Sequence, residues 1–326
     1  MPFLIVGASL VLLAVCFLGI LRWCYGKAFY FSNKKKKTDL HTYLAQTEDS
    51  AFYKPSMVSL AEKLDRTPFE PVTIVSRDGL TLYGRFYRFT ERNCVEILFH
   101  GWRSNALRDA SGGAQMARDN GYNLLLVDQR AHGKSDGNTI TFGILEKYDC
   151  LDWVAYTVDR FGEDVKILLG GVSMGASTVL MASALPLPEN VKAITADCGY
   201  SSPEAIIRKV CRDMGIPDHL GYPFVRMSAR LFGGFSLKDG GAVEAVRSAR
   251  VPIMIMHGEE DDFVPFSMCG EIFEACAAPE KELLTIPRAG HGTAYFYDTE
   301  RYAGAVSAFK RRALGIDAES ANGSAR

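Results

Sequence analysis

Between residues 95 and 287 the chain repeats one pattern. A short run rich in Val, Ile and Leu is followed by a segment of helical character, and then by another such run. The runs are VEILFH, YNLLLVD, VKILLGGVS, VKAITAD, VPIMIMH and KELLTIP. Helix-like stretches fall at Leu107–Asn120, Phe142–Phe161, Ala176–Leu185, Phe266–Ala277 and Tyr297–Leu314. Apolar runs without polar alternation are strands buried on both faces, and helices between them make parallel pairing the economical arrangement. The fold class expected is α/β, with a mostly parallel central sheet and helices on both faces. Ahead of it, VTIVS and LTLYGRFYRF flank Arg77-Asp78-Gly79 and read as a hairpin with an Asp-Gly turn.

One interval breaks the alternation. No clear strand appears between Asp197 and Val251, whereas Pro203–Met214 and Phe224–Phe232 are helix-like and Gly233-Gly234 stops the second. This is read as a helical lid insertion, about residues 199–245, over one end of the sheet. Its side chains are both basic and apolar, which suits a lipid-like acyl substrate, although the same stripe also suits packing on the body.

The N-terminus is different again. Phe3–Leu21 contains no charged residue, about the minimum length for a helix crossing a bilayer. No Lys or Arg precedes it, while Arg22, Lys27 and Lys34–Lys37 follow, so a retained anchor is favoured over a cleaved leader. Trp23, Tyr25, Phe29, Tyr30 and Phe31 read as an interfacial aromatic cluster. The basic flank places the body in the cytoplasm, at the cell membrane. The expected layout is an anchor over 1–21, a juxtamembrane linker over 22–70 with a helix near Ser59–Asp65, the α/β body over 71–315, and a disordered tail over 316–326. A chain of 326 residues suffices for one large α/β domain, and a net charge of −1 gives no reason to expect nucleic acid. The eight cysteines lack CxxC or zinc-type spacing and are read as reduced packing residues.

The chemistry lies in GVSMG, residues 171–175, where a strand meets a helix. Gly-x-Ser-x-Gly in that context is a nucleophile elbow: Gly171 and Gly175 relieve crowding in a tight turn, and Ser173 projects from the sheet edge. A serine hydroxyl needs a base, and the base needs a carboxylate to orient it. On this kind of sheet they follow in the order Ser, Asp or Glu, His. The loop after VPIMIMH offers Glu259, Glu260, Asp261 and Asp262, of which Asp261 is preferred and Asp262 second. The loop after KELLTIP offers His291. Both loops follow the C-terminal ends of parallel strands, where open α/β sheets bind ligands.

With HGW at 100–102, DQRAHGKS at 128–135, GVSMG, HGEEDDFVP at 257–265 and AGHG at 289–292, the chain resembles serine hydrolases of the α/β-hydrolase superfamily. The likeness is nearest to bacterial membrane-anchored hydrolases of the serine aminopeptidase-like and lysophospholipase-like branch, and runs from about Pro71 to Leu314. It implies Asp261 as the triad acid, and an oxyanion hole from the backbone N–H groups of Met174 and Trp102. It also implies that the Trp102 ring walls an acyl pocket, that Asp128, Arg130 and His132 are structural, that His100 holds its loop, and that no metal or organic cofactor is needed. The activity expected is hydrolysis of a carboxylic ester or thioester through an acyl-enzyme. A serine peptidase, for which Glu204 is a candidate amine anchor, and an acyltransferase are the alternatives; a non-catalytic membrane-tethered binding protein is a remote one.

Overall fold

The computed structural model describes residues 2–32 and 54–316. Lys34–Lys37, His41 and the tail from Asp317 lie outside the described residues. Eight strands form one sheet: β1 (Glu70–Val75), β2 (Thr81–Tyr87), β3 (Cys94–Phe99), β4 (Asn123–Asp128), β5 (Lys166–Val172), β6 (Val191–Asp197), β7 (Ile253–Gly258) and β8 (Lys281–Ile286). Their order is β1-β2-β4-β3-β5-β6-β7-β8. β2 pairs antiparallel with both β1 and β4, and the strands from β4 to β8 are parallel.

Burial explains the sequence pattern. β3 and β7 are buried along their whole length, whereas the edge strands β1 and β8 are partly exposed. Within β4, Leu124 and Leu126 enter one apolar layer and Leu125 and Val127 the other, as the strand period of two requires. The first layer is covered by α2 (Lys54–Arg66), α3 (Ala106–Asp109), α4 (Ser111–Asp119), α11 (Ala294–Tyr297) and α12 (Thr299–Ala313). The second is covered by α5 (Glu146–Phe161), α6 (Met174–Ala182), α9 (Ala242–Val246) and α10 (Phe266–Ala275). All eight cysteines are free, and all but Cys16 are buried.

The segment between β6 and β7 carries α7 (Pro203–Asp213), α8 (Asp218–Ser228), a π-helical turn at Ala229–Gly233, and α9. A third apolar cluster lies here, joining Ile206 and Tyr222 of this insert to Phe142, Met174 and Tyr200 of the body. Tyr25 and Phe29 complete it from the N-terminal side.

That last contact revises the expected layout. The N-terminal helix α1 spans Pro2–Ala28, and Ile5–Ala28 is long and apolar enough to cross a membrane. Ile5–Ile20 are exposed, but Leu21, Cys24, Tyr25 and the following Phe29 are buried in protein. The helix runs on past Leu21 because it packs on the insert: Phe17 lies 5.9 Å from Phe224, and Phe29 makes edge-on contacts with Phe142 and Phe235 at 5.8 and 5.2 Å. Tyr25 and Phe29 are therefore core residues rather than interfacial ones. The second helix of the supposed linker, α2, buries Met57, Ala61 and Leu64 at helical spacing against the body.

Two other boundaries move for local reasons. The helix expected from Phe142 starts at Glu146, because the buried Glu146 carboxylate accepts from the N–H of Thr141 and Gly143 at 2.8 Å each and from the Thr141 hydroxyl at 2.5 Å. That closes a turn in which Phe142 takes a φ of 56°. The helix expected from Ala176 starts at Met174, directly after Ser173.

Arg130 anchors the loop after β4. Its guanidinium forms a two-pronged bond to Asp149 at 2.6 and 2.7 Å and also reaches Asp78 of the hairpin turn at 2.9 Å. Arg130 and Asp149 are both buried, so removing one leaves an unpaired charge in the interior. Arg130→Ala should lower the unfolding free energy by about 3–5 kcal/mol in denaturant titration; a loss below about 1 kcal/mol would show that the pair does not hold the loop.

Candidate active site

Three close approaches build the turn at Ser173. Ser173 sits between β5 and α6 with φ 57° and ψ −117°, a conformation an L-residue adopts only under constraint. A Cβ added at Gly171 would lie 2.3 Å from the Gly175 carbonyl carbon and oxygen, so the two glycines do crowd one another. At Gly175 the obstacle is different: a Cβ would fall 2.0 Å from the carbonyl oxygen of Phe99 in β3. The elbow is thus wedged between its own strand and the neighbouring one. The Ser173 N–H donates to the Asp197 carbonyl of β6 at 2.8 Å, which ties the turn to the other neighbour.

The structure brings Ser173, His291 and Asp261 together. His291 Nε2 is 2.9 Å from Ser173 Oγ, and His291 Nδ1 is 2.7 Å from Asp261 Oδ2. Ser173 and Asp261 are buried and His291 is half-buried. The other Asp261 oxygen accepts the N–H groups of Phe263 and Val264 at 2.9 and 2.8 Å. His257 Nε2, fully buried at the end of β7, lies 3.2 Å from Asp261 Oδ2. Burial alone would push the Asp261 carboxyl up, but its bonds to His257 and His291, the charge of His291 and the Val264 N–H hold it well below the usual carboxylate range. Of the neighbouring acids, Glu259 accepts from the Thr285 hydroxyl at 2.8 Å, while Lys209 donates to the backbone carbonyl of Asp262.

Trp102 and Met174 frame the same spot. Met174 is the first residue of α6, and the N–H groups of a first helical turn have no intrahelical acceptor. Trp102 follows Gly101 in the loop after β3. A Cβ on Gly101 would lie 3.1 Å from Asp109 Oδ2 and 3.3 Å from Ser173 Cβ, so this backbone runs close to the serine. The Gly101 N–H donates to Asp109 at 2.8 Å. His100 Nδ1 bonds to the Gly101 carbonyl at 2.8 Å, and its Nε2 accepts from Gln129 at 3.1 Å. His132 Nε2 accepts the Arg103 N–H at 3.0 Å. Both histidines hold the loop rather than face Ser173. Trp102 Nε1 in turn donates to the Ala28 carbonyl at 3.2 Å, and Arg103 donates to the carbonyls of Gly26 and Tyr30 at 3.2 and 2.8 Å. Two of the last carbonyls of α1, those of Gly26 and Ala28, thus accept from the loop beside the serine.

Two cavities reach Ser173. One, of about 380 Å³, is lined almost wholly by apolar atoms from α1, α7 and α8, together with Trp102 and Phe142. The other, of about 230 Å³, is more polar and is lined by His291, Arg108, Ser104 and Gly292 among others. Phe263 lines both, with its ring 5.0 Å from that of His291. Glu204 lines neither and pairs with Arg208 at 2.8 Å. Cys198, Asp261 and His291 place possible metal-binding atoms within 4.8 Å of one another. Burial pushes the Cys198 thiol well above its ordinary pKa, which disfavours the thiolate a metal would need. The wall supplied by α1 has no signature in the sequence, whereas Gly101 was visible in the His-Gly pair after β3.

A model of the alpha/beta hydrolase family matches residues 97–305, and the chain belongs to that family; it is a hydrolase. Among curated proteins, it is 24% identical over 276 residues to YqkD of Bacillus subtilis, an alignment covering 84% of this chain and 88% of that one. It is also 24% identical over 268 residues to the bifunctional esterase/perhydrolase of Acinetobacter calcoaceticus, covering 67% and 92%. Among solved structures, an esterase of Pyrococcus furiosus superposes with a TM-score of 0.62 at 22% identity, covering 77% of this chain and 93% of that one. Est1E of Butyrivibrio proteoclasticus, solved with ferulic acid bound, superposes with a TM-score of 0.56 at 20% identity, covering 75% and 99%. These likenesses show the fold.

Two outcomes follow from this geometry. Gly175→Ala should cost at least about 3 kcal/mol or prevent folding, because the Phe99 backbone cannot withdraw from a methyl group; a folded variant of near wild-type thermal stability would refute the wedge. Asp197, fully enclosed beneath the elbow, has its pKa raised to about 6 by burial, against which the Tyr302 hydroxyl donates at 2.9 Å. Its folded pKa exceeds the unfolded one, so its contribution is fully present below about pH 4 and lost as pH rises through 6. At about 1.4 kcal/mol per pH unit this amounts to roughly 3 kcal/mol. The stability of wild type relative to Asp197→Asn should fall by that order between pH 4 and pH 7; a pH-independent difference would contradict it.

Proposed function

We propose that the protein hydrolyses carboxylic esters or thioesters through an acyl-enzyme on Ser173. The observation that carries this reading is the continuous hydrogen-bonded line from Ser173 Oγ through His291 to Asp261. In this scheme Ser173 Oγ bonds to the substrate carbonyl carbon while its proton passes to His291 Nε2. Asp261 fixes the tautomer with Nδ1–H and stabilises the imidazolium. The negative carbonyl oxygen of the tetrahedral intermediate takes bonds from the Met174 and Trp102 N–H groups, a pair in which one donor is typically worth about 3–4 kcal/mol of barrier. The bond to the leaving alcohol or thiol breaks as His291 returns its proton to that atom. Water, deprotonated by His291, then releases the acid and restores Ser173.

The relative named as an esterase and the esterase neighbours in structure support ester over peptide. Glu204, the amine anchor that the peptidase reading would use, is paired with Arg208 and lies off both cavities. We further propose that α1 anchors the protein in the cell membrane with the body on the cytoplasmic side, a placement that rests on its apolar length and on the basic residues after it.

The test is hydrolysis of p-nitrophenyl butyrate by the full chain in detergent. Ser173→Ala and His291→Ala should each lower kcat/KM by about 10³-fold or more, and Asp261→Asn by about 10³–10⁴-fold through loss of the correct tautomer. Because Asp261 is held below the usual carboxylate range, acid inactivation should not come from its protonation above pH 4. Wild-type turnover that survives Ser173→Ala would refute the mechanism, and folded wild type without turnover on esters or thioesters would favour a binding role.

A further inference from the structure

The two cavities are chemically unequal, and resting on the ester-hydrolase reading above, that inequality orients the substrate. The leaving oxygen must receive its proton from His291. His291 lines the smaller, more polar cavity and not the larger apolar one. The alcohol portion therefore belongs beside Arg108 and Ser104, and the acyl portion in the larger cavity. At about 30 Å³ per water-sized group, 380 Å³ accepts on the order of a dozen methylenes.

The walls of that acyl cavity are unusual in their origin. Ile206, Val210 and Val225 come from the insert, but Ile20, Cys24 and Ala28 come from α1, the helix long and apolar enough to cross a membrane. The part of α1 ahead of its first ring contact with the insert, Pro2–Cys16, extends roughly 22 Å at 1.5 Å per residue, about three quarters of a bilayer's hydrocarbon core. Exposed apolar side chains continue around its exit: Met227, Leu231 and Phe232 lie on α8 and the π-helical turn that pack against α1. The Tyr25 ring lies 5.8 Å from that of Phe232, tilted by 50°. Water is a poor neighbour for that rim, and the hydrocarbon around α1 is the occupant that matches it.

We propose that α1 is a wall of the acyl pocket as well as an anchor, and that the substrate is an amphiphilic long-chain acyl ester drawn from the bilayer that holds α1. The acyl chain passes from the bilayer along Ile20, Cys24 and Ala28 to Ser173, and the polar alcohol sits on the side of His291.

The test uses the full chain in phosphatidylcholine vesicles, with p-nitrophenyl acetate and p-nitrophenyl laurate as probes. Wild type should prefer laurate in kcat/KM, and Cys24→Phe should lower the laurate-to-acetate ratio at least tenfold. A second measurement needs no variant: a dodecyl fluorophosphonate with a diazirine at its tail, added in the vesicles, should phosphonylate Ser173 and on illumination crosslink to the peptide containing residues 20–28. Crosslinks confined to other segments, or an unchanged ratio in a folded Cys24→Phe, would overturn the α1 wall. Wild type that hydrolyses acetate in preference to laurate would overturn the long-chain substrate alone. Wild type that hydrolyses neither ester and is not phosphonylated would overturn the ester-hydrolase reading itself, and this inference with it.

Discussion

The absence of a side chain at two glycines is the constraint on which the site depends. Gly171 meets the start of α6, and Gly175 meets the Phe99 carbonyl. At these contacts β3, β5 and α6 pack backbone to backbone, with no room for a methyl group between them. Ser173 is left at positive φ with its hydroxyl toward the ends of the parallel strands. The cost of that strained conformation is offset by the buried sheet on either side, since interiors packed to crystal density do not yield continuously.

Charge is organised around the same turn. Asp261 collects two imidazoles and two backbone N–H groups, so its carboxylate stays ionised although it is enclosed. Asp197, one strand away, has only the Tyr302 hydroxyl and is pushed in the opposite direction. Two aspartates at similar depth thus differ by what they are bonded to, not by how much water they see. Beneath them, Lys310 of α12 donates to Glu96 of β3 at 2.5 Å with both side chains buried, which binds the last helix to the strand that carries the Gly101 loop.

Most of the sheet could be read from the sequence because parallel strands buried on both faces leave an uninterrupted apolar run, as in VEILFH and VPIMIMH. That Ser173 and His291 come together was legible because a tight elbow demands glycines and because the resemblance expects a histidine late in the chain, after the last strand. Asp261 was harder, since four acids stand together and residue type alone does not say which one turns inward. The packed part of α1 was not legible: Cys24, Tyr25 and Phe29 satisfy a lipid environment and a protein core equally well, and hydropathy does not distinguish them. The same holds for Met57, Ala61 and Leu64, whose spacing reveals an amphipathic helix but not what it covers. The start of α5 was missed because the Glu146 carboxylate, invisible as a cap in the sequence, folds the preceding residues into a turn.

A helix that carries membrane character and also closes the pocket makes the N-terminal segment part of the enzyme body, tied through Ala28, Gly26 and Tyr30 to the loop next to Ser173. All of this presupposes covalent chemistry at one atom. The most direct measurement is acid quenching of the wild-type chain within the first turnover of a p-nitrophenyl ester, followed by peptide mass mapping. The account predicts an acyl adduct on Ser173 that forms before steady state and disappears as substrate is exhausted. Turnover without that adduct, or with the acyl group on another residue, would contradict it.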